Sequence, residues 1–200
     1  IEFCPGVVPA LNMCTLAYTS PGDEIIIQPP VYPPFYGAVN DHGRRLVFNP
    51  LLETDKGWMM DFEGLRRAIT SRSRMLILSN PHNPVGRAWT SEELSELAEI
   101  CHEKGIIILS DEIHSDLTLP GVKHVPLASL SEMAASVTVT CMAPSKTFNL
   151  AGLSTASMII TDKGLMEKYR QTLVGLHMHL GNIFGNIASE AAFTHGREWL

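Results

Sequence analysis

The sequence predicts an α/β fold in which a mostly parallel β-sheet is covered by helices. Short β-branched, apolar runs alternate along the chain with segments of helical periodicity, and this alternation is typical of βαβ units. Several of the runs are apolar without a period of two, which is the pattern of strands buried on both faces. A hydrophobic fraction of 45% in 200 residues is also enough for a substantial core.

Six runs are predicted as strands because each is short and rich in Ile, Val, Leu or Met. They span residues 24–28, 45–48, 75–78, 106–109, 137–140 and 157–160. In an open sheet of this kind, ligands bind beyond the carboxyl ends of the strands. The polar residues that follow these runs are therefore the first candidates for a functional site.

The clearest predicted helix spans residues 90–104. Thr90 and Glu93 have capping-box spacing, an apolar stripe follows, and Gly105 stands where a C-terminal cap belongs. Further helices are predicted at residues 7–17, 34–41, 61–69 and 163–176. Asp61 is the expected N-cap of the third of these.

Composition and charge exclude several classes of protein. Fifteen Lys and Arg against 21 Asp and Glu give a net charge of −6, which does not favour a nucleic-acid partner. The longest apolar runs have four residues, far too few to cross a bilayer. Four scattered cysteines without a Cys-x-x-Cys motif favour a reducing cytoplasm.

The chain is expected to be one domain and part of a longer protein. No linker rich in Gly, Ser or Pro divides residues 1–200, and the sequence begins at Ile1 without an initiator Met.

Two loops after predicted strands carry the first candidate residues. In residues 79–86, two Asn-Pro steps are expected to hold the backbone extended and to aim Asn83 at the strand ends, although a plain turn is an alternative. Asp111 follows the run at 106–109, where its charge is costly to bury without a cation or hydrogen-bond donors. A metal ion with His114 and Asp116 as co-ligands is the alternative. No metal site is predicted, because no His-Glu-x-x-His or EF-hand spacing is present.

Lys146 follows the run at 137–140 and has small, aromatic and apolar neighbours. A desolvated lysine has a lowered pKa and becomes a nucleophile, whereas the alternative is a solvated surface lysine. Pyridoxal phosphate requires an amine for a Schiff base, a carboxylate that keeps the pyridine nitrogen protonated, and a donor to the phenolic oxygen. Lys146, Asp111 and Asn83 can take these roles in that order.

The cofactor also needs a phosphate site and a surface for its ring. The predicted helix that begins after Gly6 offers the backbone N–H groups of Val7 and Val8 to an anion. Tyr32 follows the first predicted strand and can stack on a flat ring, although it could equally be a core residue.

Five segments together resemble fold-type I pyridoxal-phosphate enzymes of the class I/II aminotransferase superfamily. The most similar branch is that of carbon-sulfur β-lyases, the MalY and PatB type of cystathionine β-lyase. The segments are residues 5–11, 30–36, 79–87, 110–114 and 143–153. The resemblance implies the large cofactor-binding domain of that fold, a three-layer sandwich over residues 1–200, without the N-terminal segment and C-terminal small domain. It also implies a homodimer.

The resemblance assigns roles to the candidate residues. It implies that Lys146, Asp111 and Tyr32 are catalytic, with Lys146 as the Schiff-base lysine and Asp111 as the pyridinium partner. It further implies that the cofactor is bound by Gly6, Val7, Val8, Tyr32, Asn83, Asp111, His114, Ser145 and Lys146.

Two positions depart from the broader aminotransferase pattern. His114 stands where Tyr is common, and Ser154 stands where Arg is common. The first changes what polarises the phenolic oxygen. The second leaves the phosphate to backbone amides and to hydroxyls such as that of Ser145. Both departures disfavour plain transamination.

The expected function is that of a cystathionine β-lyase type of enzyme, which cleaves a cysteine conjugate to a thiol, pyruvate and ammonia. The freed Lys146 amine is expected to act as general base at the substrate Cα. A pyridoxal-phosphate-dependent aminotransferase is the first alternative because it shares this proton abstraction. A truncated module that binds cofactor or a partner without turnover is the second. The expected partner is a small amino-acid substrate, with no nucleic acid and no membrane.

Overall fold

The computed structural model describes residues 1–200. Its strands are β1 (Glu2–Cys4), β2 (Glu24–Ile27), β3 (Arg45–Phe48), β4 (Leu52–Thr54), β5 (Gly57–Met59), β6 (Ser73–Ser79), β7 (Ile107–Asp111), β8 (Thr138–Met142) and β9 (Ala156–Ile160). Its helices are α1 (Val7–Tyr18), α2 (Pro34–Asn40), α3 (Phe62–Ala68), α4 (Ser91–Lys104), α5 (Glu132–Val137), α6 (Pro144–Thr147), α7 (Lys163–Gly175) and α8 (Ile183–His195). Each helix falls short of the length and apolar character that a membrane crossing requires.

Seven strands form one sheet in the order β1-β9-β8-β7-β6-β2-β3. The pairs from β8 to β3 are all parallel, and only β9 runs against its neighbours. The strands β4 and β5 form a separate antiparallel hairpin. The prediction of a mostly parallel sheet is therefore confirmed.

Helices cover both faces of this sheet, and each face has its own core. Ile25 and Ile27 of β2 belong to a core cluster of 24 residues that also includes side chains of α1, α2 and α7. Ile26 points to the other face and belongs to a cluster of 16 residues with side chains of α3, α4 and α5. Successive residues of a strand face opposite sides, so the central strands are buried on both faces. The predicted three-layer sandwich is confirmed.

Helix α4 forms as its sequence signals predict. The Thr90 hydroxyl accepts from the Glu93 backbone N–H, the Glu93 side chain accepts from the Thr90 N–H, and Gly105 ends the helix with φ of 65°. Asp61 caps α3 by accepting from the N–H of Gly64. Both capping predictions are confirmed.

Several boundaries and short elements differ from the prediction. Val137 does not begin a strand, because it is the last residue of α5, the helix that Ser131 caps. The strands β1, β4 and β5 were not predicted, because three-residue strands carry too little pattern and form only through pairing. Strands β6 and β7 extend further than predicted, so Ser79 and Asp111 are the last residues of these strands.

Candidate active site

A cavity of about 320 Å³ lies at the carboxyl ends of the parallel strands. Eight of the predicted site residues line it: Val7, Val8, Tyr32, Asn83, Asp111, His114, Ser145 and Lys146. The ninth, Gly6, precedes the lining residues as the N-cap of α1. The cavity therefore brings together residues that are up to 139 positions apart, from Val7 to Lys146.

Asp111 is positioned by the sheet. It pairs in register with Ser79 on one neighbouring strand and with Cys141 on the other. Its side chain is buried, with 5% of the residue exposed, and Oδ1 accepts one hydrogen bond, from the backbone N–H of Ile113 at 3.2 Å. It has no ion-pair partner within 4.0 Å. The expectation of a buried carboxyl group is confirmed.

Burial raises the pKa of Asp111 to about 7. The hydrogen bond from Ile113 lowers this pKa, the nearby Glu112 charge raises it, and the Lys146 charge lowers it. Desolvation dominates because a carboxylate loses most of its hydration in such a site. A cation that entered the cavity beside Asp111 would favour the ionised form.

The Asn83 loop turns back on itself, so the prediction of an extended backbone is wrong. The His82 N–H donates to the Arg87 carbonyl at 2.6 Å, and the Gly86 N–H donates to the His82 carbonyl at 2.8 Å. Gly86 permits this reversal because its φ of +71° lies in the left-handed region. The Asn83 N–H also donates to Ser79 Oγ at 3.1 Å. The loop is thereby fixed to the end of β6, and Asn83 lines the cavity as expected.

Lys146 lies on α6, a single helical turn after β8. Its side chain is exposed, so the expectation of a desolvated lysine is wrong for this structure. Pro144 and Thr147 of the same turn are buried and Lys146 is exposed, so in this short turn these two residues face the protein and the lysine faces the open side of the cavity. The Lys146 charge nevertheless acts on the pKa of both Asp111 and His114.

His114 is half-buried at the same cavity. Burial lowers its pKa, and the positive charge of Lys146 lowers it further. The neutral imidazole is therefore favoured at neutral pH, and a neutral ring has one donor and one acceptor nitrogen.

The first turn of α1 supplies unpaired backbone donors. Gly6 is the N-cap, has φ of +144°, and contributes no side-chain cap. The N–H groups of Val7 and Val8 therefore have no partner within the helix, and Pro9 has no N–H at all. These two donors and the positive end of the helix dipole suit an anion.

Tyr32 comes from the loop between β2 and α2 and is half-buried. Its ring packs edge-on against Phe35, with centroids 6.4 Å apart. Phe35 is completely buried, so it supports Tyr32 from the core side while Tyr32 lines the cavity.

The residues of the cavity fit pyridoxal phosphate. The buried Asp111 carboxyl lacks a cationic partner, which a protonated pyridine nitrogen would provide. An exposed amine, an amide, an aromatic ring and unpaired helix N–H groups line the same cavity. Together they match the aldehyde, phenolic oxygen, ring and phosphate of that cofactor.

Ser154 lies outside this cavity. It has φ of +44° and lines a separate cavity of about 280 Å³ with His177 and Asn182. The Ser154 side chain therefore does not line the site around Lys146.

The family profile of aminotransferase class I and II matches residues 1–192. The chain belongs to this family. Among curated relatives, the cystathionine β-lyase PatB of Bacillus subtilis is 49% identical over 201 residues, which is 100% of this chain and 52% of that protein. The chain spans about half the length of the curated relatives it matches.

Solved structures of the family have the same fold. Cystalysin from Treponema denticola, which contains pyridoxal 5'-phosphate, matches with a TM-score of 0.96 and 34% identity over 100% of this chain and 51% of that chain. The pyridoxal-phosphate-bound C-S lyase of Staphylococcus hominis matches with a TM-score of 0.90 and 31% identity over 98% and 49%. Pyridoxal phosphate is the cofactor of this family.

Sequence reasoning missed three residues that line the cavity. They are Pro9, Ser79 and Ile113. The rule that ligands bind at strand ends could have identified Ser79, because it directly precedes the Asn-Pro loop. Nothing in the pattern around Pro9 and Ile113 marks them, since their contribution comes from the backbone path on either side of the cavity.

Proposed function

We propose that this protein is a pyridoxal-phosphate-dependent carbon-sulfur β-lyase that cleaves a cysteine conjugate to a thiol, pyruvate and ammonia. The observation that carries the proposal is the common cavity of Lys146, Asp111, Asn83 and Tyr32. The similarity to relatives named cystathionine β-lyase and C-S lyase supports the choice of reaction.

The residues of this chain would hold the cofactor from several sides. The N–H groups of Val7 and Val8 would bind the phosphate, with Ser145 as an additional hydroxyl donor. Tyr32 would lie against the ring. Asn83 would donate to the phenolic oxygen, and the neutral His114 can offer a second donor on this side of the cavity.

Bound pyridoxal phosphate supplies an aldehyde that joins covalently to amines and a ring that accepts negative charge from the substrate Cα. Asp111 would hold the proton on the pyridine nitrogen, and its burial would make that charge pair strong. The Lys146 amine would hold the aldehyde carbon covalently in the absence of substrate. As a free amine it would take the proton from the substrate Cα as general base. The exposed position of the Lys146 side chain gives it room to move between these tasks.

The lyase outcome requires that a thiolate leaves from Cβ after the Cα proton has been removed. The absence of a cationic side chain at Ser154 and the presence of His114 support this outcome over plain transamination. They change the donors that this chain can offer to the phosphate and to the phenolic oxygen.

An aminotransferase is the second candidate function. The family match favours it, because Lys146 and Asp111 would perform the same Cα proton abstraction in both reactions. The two reactions differ in the substrate: a leaving group at Cβ is needed only for the lyase.

Incubating the purified full-length protein with cystathionine and measuring pyruvate distinguishes the lyase from the aminotransferase. We expect pyruvate without an added keto acid. Product that appears only with a keto acid would support the aminotransferase instead. No product under either condition would support a module that binds cofactor or a partner without turnover.

We further propose that the protein acts as a homodimer in the cytoplasm, and that residues 1–200 form most of its large domain. The exposed apolar side chains of Leu180, Ile183 and Phe184, each at least 74% exposed, support an additional interface on this part of the chain. The four free cysteines support a reducing compartment.

A further inference from the structure

The loop that follows β7 forms one wall of the proposed cofactor site. Residues 113–126, called the strap here, contain no helix or strand. Their first two residues, Ile113 and His114, line the cavity. The position of the strap therefore decides where His114 lies relative to Lys146 and Asn83.

The far end of the strap is fixed to the sheet by buried hydrogen bonds. His124 Nε2 and Glu112 Oε2 are 2.8 Å apart, and the Glu112 side chain is fully buried. Glu112 also accepts from the Ser110 hydroxyl at 2.8 Å and from the Leu127 N–H at 3.2 Å. This end of the strap is thus held by the residue next to Asp111.

Apolar packing does not hold the middle of the strap. Leu117, Leu119 and Val122 are 46%, 77% and 47% exposed. Between them and the Asn83 loop lies a second cavity of about 310 Å³, which shares Asn83 and His114 with the first. Polar contacts must therefore fix the position of this segment.

One such contact joins the strap to the turn that carries Lys146. The Thr147 hydroxyl donates to Asp116 Oδ2 at 3.0 Å, across 31 positions of sequence. Thr147 is 1% exposed, and this is the only hydrogen bond of its side chain. Burying the Thr147 hydroxyl without an acceptor would cost free energy. The folded state therefore favours the arrangement in which Thr147 and Asp116 stay in contact.

The Lys146 turn has little stability of its own. Helix α6 has four residues, and a single turn is not stable without tertiary contacts. The Lys146 side chain makes no salt bridge within 4.0 Å. The position of its amine therefore depends on the contacts of neighbouring residues. One of these contacts is the hydrogen bond from Thr147 to the strap.

We propose that Asp116 is a positioning residue. Through its hydrogen bond with Thr147 it fixes the positions of Lys146 and His114 relative to each other on two sides of the cofactor cavity. The proposal rests on the function proposed above and extends it to a residue outside the cavity. Asp116 does not line the cofactor cavity. It acts through the Lys146 turn on one side and through the strap on the other.

Three variants of the full-length protein test this role. Asp116→Ala removes the acceptor at an exposed position, and Thr147→Val removes the donor. Asp116→Asn keeps an oxygen that can accept from Thr147. Thr138→Val is the matched control, because Thr138 is also 1% exposed and its hydroxyl donates to the Ala134 carbonyl, at the other end of β8.

Cofactor affinity is measured by titrating the cofactor-free protein with pyridoxal phosphate. Asp116→Ala and Thr147→Val are expected to raise the Kd about tenfold, as the loss of one hydrogen bond predicts. They should also shift the pH midpoint of the bound cofactor's absorbance and lower kcat about tenfold while KM changes less than about twofold. Asp116→Asn should restore the Kd to within about twofold of wild type. The double variant should be no weaker than Thr147→Val alone.

Thr138→Val is expected to lower the melting temperature without changing the Kd or the absorbance midpoint. Wild-type affinity and absorbance in Asp116→Ala and Thr147→Val would overturn the inference, as would an equal change in Thr138→Val. Failure of the wild-type protein to bind pyridoxal phosphate would overturn the proposed function and this inference together. Normal wild-type binding with unaffected variants overturns the inference alone.

Discussion

At the scale of single residues, the main feature of the site is a carboxyl group, that of Asp111, whose ionised form is disfavoured by burial. Its carboxyl group is buried at a strand end without a cationic partner, and this burial raises its pKa to about 7. Asp111 is therefore a buried carboxyl group that a protonated pyridine nitrogen would stabilise. The attraction between the two charges would offset the desolvation penalty of the carboxylate and so contribute to cofactor binding.

The raised pKa of Asp111 predicts how the cofactor-free protein responds to pH. Its pKa is 3.8 without burial and about 7 in the folded protein, so the folded state binds more protons between these values. Stability should therefore fall as the pH rises from about 4 to 7 and then level off for this group. Asp111→Asn removes this contribution. Urea unfolding at pH 5 and pH 8 should show a smaller pH effect in the variant, and equal effects would contradict the proposed ionisation.

Tyr32 gives a second prediction at this scale. If its ring stacks on the cofactor, Tyr32→Ala should weaken pyridoxal-phosphate binding about tenfold, as expected for one aromatic contact. Tyr32→Phe keeps the ring and its contact with Phe35, so it is the matched control and should bind within about twofold of wild type. If both variants lose affinity equally, the hydroxyl and not the ring is the important group.

At the scale of elements, the Lys146 region is held by the docking of α8 as well as by the strap. Gly185 lies in the first turn of α8, where a Cβ atom would come within 2.8 Å of the Leu153 carbonyl oxygen and 2.9 Å of Thr155 Cβ. The Phe148 ring, two residues after Lys146, packs against Phe193 of α8 with centroids 5.6 Å apart. Displacement of α8 should therefore reach the Lys146 turn.

Gly185→Ala is expected to destabilise the protein by about 1–3 kcal/mol, because a backbone oxygen cannot move away as a flexible side chain can. Gly175→Ala is the control: Gly175 ends α7, and its added Cβ would meet nothing within 4 Å. The control should be neutral or slightly stabilising. Denaturant unfolding of both variants measures the difference, and equal stability would mean that α8 does not dock as closely as described.

At the scale of the whole molecule, the sequence predicts the parts that local patterns determine. The branched apolar runs of β2 and β6 and the caps of α3 and α4 carry their own signals. The rule that ligands bind at strand ends then brings Asp111 and Asn83 to one edge before any contact is known.

The remainder has no clear signal in the sequence. The hydrogen bond between Asp116 and Thr147 joins segments that are 31 positions apart. The reversed Asn83 loop is held by short-range hydrogen bonds of His82, Gly86 and Arg87, which the two Asn-Pro steps do not indicate. The hairpin of β4 and β5 is likewise too short to leave a clear alternation in the sequence.

Covalent trapping of the cofactor tests whether Lys146 is the lysine that binds it. The full-length protein loaded with pyridoxal phosphate is reduced with borohydride, digested, and its peptides are mapped by mass spectrometry. We expect one pyridoxyl group, attached to Lys146 in the peptide that contains α6. A pyridoxyl group on any other lysine, or no label at all, would contradict this expectation.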